Sequence, residues 1–114
     1  MTEAHQAALR VAQDDLDLRL RHQPVTAIDR ARLDLWARQI LVDAADDDPG
    51  AVAGAVTTLG WTWDRVRHTA DPAGGGRFDA QLRGVRSAAE KKDVAATARA
   101  TPALLATISA LKIG

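Results

Sequence analysis

Five side chains between Ile28 and Ala45 carry functional groups in one row. At about 100° per residue, Asp29, Arg32, Trp36, Gln39 and Asp43 fall between two apolar edges of a single helix. One edge is Ile28, Leu35 and Val42, and the other is Leu33, Ala37, Ile40 and Ala44. Arg30, Asp34 and Arg38 point the opposite way, toward water, with ion-pair spacing. A polar row inside an apolar arc has two readings. It can line a pocket in a bundle interior that holds a small ligand, a cation or a catalytic water. It can also close on itself, since Asp29–Arg32 and Gln39–Asp43 stand at the three- and four-residue offsets of side-chain pairs.

A second constellation is Trp61, Asp64 and His68. Val52, Val56, Leu59, Trp63, Val66 and Ala70 form an apolar stripe, and these three residues lie away from it. A tryptophan opposite the core face of its own helix has three accounts. The first helix of the chain covers it, a partner protein covers it, or it stands partly exposed. Asp64 and His68, with Asp71 beyond, have the offset of a shared cation and equally that of a surface ion pair.

The metal chemistry open to this chain is narrow. There is no cysteine, which excludes thiolate metal sites, iron–sulfur clusters and disulfides. The two glutamates, Glu3 and Glu90, fit no di-metal carboxylate pattern, and no HExxH stands in the sequence. A mononuclear site would have to use His22 and His68 with Asp15 or Asp43. His5 belongs to a terminus prone to fraying. Ser87 and Ser109 are the only serines, neither in a nucleophile-elbow setting, and tyrosine is absent. No catalytic residue is assigned and no cofactor is expected. An enzyme of this sequence would work by acid–base chemistry on Asp and His, or through an interior Arg. Gly74-Gly75-Gly76 lacks the preceding strand and following Lys-Ser/Thr of a phosphate loop.

The elements that must position these groups are helical. Alanine, the best helix former, occurs 24 times, and no stretch alternates as a strand does. A first helix is expected from Glu3 or Ala4 to His22, with Leu9, Ala12, Leu16 and Leu20 inward, ended by Gln23-Pro24. A second follows from about Thr26, as N-cap, to Asp46. Asp48 as N-cap with Pro49 at the first helical position opens the third. Asp71 to Gly76 reads as the clearest loop. The fourth spans about Arg77 to Ala89, with Phe78, Leu82, Val85 and Ala89 inward. The fifth, Val94 to Lys112 behind Asp93, carries Val94, Ala98, Leu105, Ile108 and Leu111, and is kinked or restarted at Pro102. No internal repeat and no low-complexity segment is visible.

With 114 residues, 46% of them hydrophobic, residues 1–114 are expected to form one domain. The expected class is all-α: an antiparallel up-and-down bundle of four long helices, or five helical pieces. Fifteen acids balance fifteen bases, which argues against nucleic acid and anionic membrane as partners. No stretch suits a signal peptide or a membrane span, so the chain as given is expected in the cytoplasm, or outside the cell if an export signal was removed. The expected function is a non-catalytic interaction module that contacts a protein partner or a second copy, through Trp61, Asp64 and His68 and the ends of the second helix. The alternative is a ligand- or metal-binding bundle that uses the polar row of Asp29, Arg32, Trp36, Gln39 and Asp43 with His22 or His68.

Overall fold

The computed structural model describes residues 25–113. The helix expected before Pro24, and with it His5, Asp15 and His22, lies outside the described residues. Four helices follow: α1 (Val25–Ala45), α2 (Pro49–Val66), α3 (Pro72–Glu90) and α4 (Val94–Ala110). Sequential helices pack as antiparallel neighbours, and α1 also packs on α4, which closes a ring of four. The shared core joins Leu33, Ala37 and Ile40 of α1 to the Val52–Val66 stripe of α2. Phe78, Leu82 and Val85 of α3 and Leu104 and Ile108 of α4 complete it. Burying each of these large apolar side chains contributes about 1.5–3 kcal/mol.

The interhelix corners are short because caps and stops share residues. At the end of α1, Asp48 N–H donates to the Asp43 carbonyl (3.2 Å) and Asp47 N–H to that of Ala44 (3.0 Å). Asp47 sits in the left-handed region, at φ 52. This pair of bonds is the Schellman stop. Asp48 then caps α2 at once, its Oδ1 accepting from Ala51 N–H at 3.1 Å. The corner between α3 and α4 repeats this arrangement. Asp93 N–H donates to the Ala88 carbonyl and Lys92 N–H to that of Ala89, both at 3.0 Å. Lys92 has φ 56, and Asp93 Oδ1 accepts from Ala96 N–H at 3.0 Å.

Those like corners set the two hairpins in correspondence. Asp48 and Asp93 are 45 residues apart, and at that offset the bounds of α1 and α2 coincide with those of α3 and α4 to within two residues. Nine buried pairs match, Leu33 with Phe78, Ala37 with Leu82, Ile40 with Val85, Val52 with Thr97, Val56 with Thr101, Leu59 with Leu104, Thr62 with Thr107, Trp63 with Ile108 and Val66 with Leu111, whereas Ile28, Leu35 and Gln39 are buried where Ala73, Ala80 and Gly84 are exposed. Arg32, Asp34, Arg38 and Ala44 recur unchanged as Arg77, Asp79, Arg83 and Ala89. The bundle is two like helical hairpins packed against each other. At two matched core positions valine in α2 stands opposite threonine in α4, so the correspondence is one of burial and not of sequence.

Four local expectations also change. Thr26 does not cap α1, which is already helical at Val25. The segment expected as a loop at Asp71–Gly76 is a helix start. Asp71 caps α3 by accepting from Gly74 N–H at 2.8 Å, and Pro72 takes the first helical position. Asp-Pro thus sets a boundary as Asp48-Pro49 does, and overrides three glycines. A Cβ on Gly74 would lie 2.7 Å from the capping carboxylate, so a side chain there would displace the cap. Pro102 neither restarts nor ends α4, which runs through it with Thr101 buried rather than capping. The core face of α4 is also rotated from the expected one. Thr97, Thr101 and Thr107 are buried, whereas Leu105 and Ala98 are only half-buried. Buried hydroxyls are tolerated because each finds an acceptor: Thr97 donates to the Asp93 carbonyl (2.8 Å) and Thr101 to that of Thr97 (2.8 Å). Thr107 donates to Gln81 Oε1 (2.6 Å).

Candidate functional site

The polar row of α1 is partly closed. Gln39 and Asp43 are buried, and Gln39 Nε2 donates to Asp43 Oδ1 at 2.8 Å. Asp43 and Arg32 each have a further interaction, so neither is a free ligand group. Asp29, Arg32 and Trp36 are half-buried, and Trp36 packs against the core. On the opposite side, Arg38 Nε and Asp34 Oδ2 pair at 2.7 Å in the expected exposed position. Arg30 differs from its expected solvent role: its Nη2 donates to the Leu111 carbonyl and ties α1 to the end of α4.

That bond borders an open cleft of about 610 Å³ between Arg30, Thr69, Asp71 and the Ser109–Ile113 segment. Its acid is already engaged. Asp71 Oδ2 accepts from Gly74 N–H, and Oδ1 accepts from Lys112 N–H at 3.0 Å. Asp71 N–H in turn donates to the Lys112 carbonyl at 2.9 Å, beside an antiparallel bridge from Ala70 to Ile113. The Lys112 and Gly74 amides hold the Asp71 carboxyl below its ordinary value of 3.8. Asp71 is therefore a clamp between the middle of the chain and its end, and is not arranged with Asp64 and His68 around a cation. Among the described residues no group of three or more His, Asp or Glu is placed to hold a metal ion.

The Trp61 face is a different kind of surface. Trp61 is 66% exposed, the one large hydrophobic residue among those described that stands in solvent. The account in which the first helix covers it lies outside the described residues. Asp64 and His68 are exposed on the same side. They do not pair with each other: Asp64 Oδ1 lies 3.6 Å from Arg67 Nη1, and Arg67 Nη2 reaches Asp79 Oδ2 at 2.7 Å. Asp79 Oδ1 also accepts from the indole N–H of Trp63, at 2.8 Å. Trp63 is buried, with its ring tilted 36° against Phe78 at a centroid distance of 4.3 Å. The two tryptophans of α2 thus divide. Trp63 anchors the core through Asp79, a residue not singled out from the sequence, and Trp61 stands in solvent among the described residues.

A groove of about 160 Å³ runs between α2 and α3, lined by Ala53, Val56, Thr57, Arg86, Ala89 and Glu90. The Arg86 guanidinium lies over Gly60, where a Cβ would come within 2.1 Å of its Nη2. Arg65 and Arg86 are exposed and neither forms an ion pair with the described acids, so this side of the molecule offers cations as well as an aromatic ring. No helix of the described residues is long and apolar enough to cross a membrane. No protein-family model, curated protein or solved structure matches the chain, so its own geometry alone bears on what this surface does.

Proposed function

We propose that this bundle is an interaction module that associates through the Trp61 face, with a second copy of the chain as its partner. The carrying observation is the exposure of Trp61, 66% in a structure that buries the Trp63 ring two residues on. Exposed aromatic anchors are enriched where proteins bind, because they supply large contact area at small entropic loss. Asp64, Arg65 and His68 around the ring give a polar rim, as interface anatomy requires. A chain with no net charge also meets a second copy without mutual repulsion. Sedimentation of wild type and Trp61→Ala over a concentration series tests the reading. Loss of association in the variant, with unchanged helicity, is expected. Identical oligomeric state and partner capture in both proteins would dismiss it.

A further inference from the structure

The geometry points to an isologous dimer in which α2 packs antiparallel on α2 of a second copy, which rests on reading the Trp61 face as an interaction surface. Along α2 and the turn after it, Gly50, Gly54, Thr57, Trp61, Arg65 and His68 follow one another at steps of three and four residues, and so form one ridge. All six are exposed. The ridge is graded. Its start adjoins the acidic corner Asp46-Asp47-Asp48, its middle is small, and its end carries the indole, a guanidinium and an imidazole.

That grading is self-complementary only when two copies run antiparallel. Set a twofold axis across α2 midway between Gly54 and Thr57. Trp61 of each copy then lies over Gly50 of the other, and Gly54 faces Thr57. Gly54 has open space around it, with nothing among the described residues within 4 Å of a Cβ built there, so their packing does not require a glycine. Gly50 would meet only the Asp48 carboxylate, at 3.6 Å. Each ring therefore has a seat without a side chain in it. Arg65 of each copy falls over the Asp46-Asp47 corner of the other, twice by symmetry. Asp47 is exposed, and neither it nor Arg65 has an ion pair among the described residues. A parallel arrangement would instead set acid on acid and Trp on Trp. One helix face is a small interface, near or below about 1,200 Å² in total, so a reversible, salt-weakened dimer in the micromolar range is expected.

A charge exchange in the full chain tests the pairing. Arg65→Asp and Asp47→Lys each create two like-charge contacts across the axis and should weaken the dimer about tenfold or more. Lys92 already occupies the matching left-handed position, so lysine is sterically acceptable at 47. An equimolar mixture of the two variants restores opposite charges at both contacts, and its heterodimer should regain wild-type affinity in sedimentation equilibrium. A mixture that associates no better than either variant overturns the antiparallel pairing, as does a wild type that stays monomeric. If Trp61→Ala abolishes association while the mixture shows no rescue, the Trp61 face stands and this geometry falls. If neither Trp61→Ala nor the charge variants move the equilibrium, both fall.

Discussion

The contact between Trp63 and Asp79 offers the sharpest test of how this fold is held. The indole N–H is buried and has one acceptor, Asp79 Oδ1 at 2.8 Å. The other oxygen of the same carboxylate pairs with Arg67, whose side chain is 50% exposed against 30% for Asp79. An ion pair that wet is worth about 0–1 kcal/mol. A hydrogen bond to a charged acceptor contributes about 1.5–3 kcal/mol, and its loss would leave a buried donor unpaired. Asp79→Ala should therefore destabilise the protein by about 2–3 kcal/mol, most of it through the indole. Asp79→Asn keeps an acceptor oxygen for the indole and loses only the charge, so about 1 kcal/mol is expected. Urea unfolding followed by tryptophan fluorescence and by circular dichroism measures both. At roughly 4 °C per kcal/mol for a chain of this size, the alanine variant should melt about 8–12 °C lower. Equal losses in the two variants would show that the ion pair, not the indole bond, carries the energy. A loss under about 0.5 kcal/mol for Asp79→Ala would refute the reasoning altogether.

Lys92→Gly should raise the unfolding free energy by about 0.5–1 kcal/mol, because φ 56 strains a lysine and not a glycine, and Asp47→Gly should gain less since Asp tolerates that region better. Unchanged or lower stability of Lys92→Gly in urea would contradict the corner geometry. Pro102→Ala should stabilise by about 1–3 kcal/mol, since an exposed proline within continuous α4 deprives the Ala98 carbonyl of its donor; a loss of thermal stability would count against a through-running helix. Asp71 has a lowered carboxyl, so its stabilisation is complete above 3.8 and fades as pH falls through its folded value below that. Asp71→Asn should flatten the acid limb of a urea midpoint against pH curve, and a limb identical to wild type would show that the clamp does not form in solution.

Much of the bundle was legible in the sequence, wherever boundary chemistry and apolar spacing agree. Asp48-Pro49 and Asp93 mark true helix starts because a carboxylate accepting backbone amides is a local interaction. The Val52–Val66 stripe and the Phe78, Leu82, Val85 series are buried as their periodicity predicts. Local propensity misled at Gly74–Gly76, where the Asp71 cap and its bonds to Lys112 outweigh the helix penalty of three glycines. The Lys112 contact spans the chain and is invisible in any window around Asp71. The rotated core face of α4 is hidden in the sequence for a related reason. Thr97 and Thr101 read as polar until their hydroxyls are seen to return to the carbonyls one turn back.

The candidate surfaces divide along the same line. Sequence alone determined which residues of α1 form a polar row and that Trp61 lies off the core stripe of its own helix, because both follow from helical geometry. Only tertiary structure decided what faces them. It bonds Gln39 to Asp43 within α1, sends Arg30 to the Leu111 carbonyl, and gives Trp63 rather than Trp61 a buried partner. A projection fixes the direction of a side chain around one axis. Whether that direction ends in another helix or in water depends on where the other helices lie, and that is set by the packing of all four together.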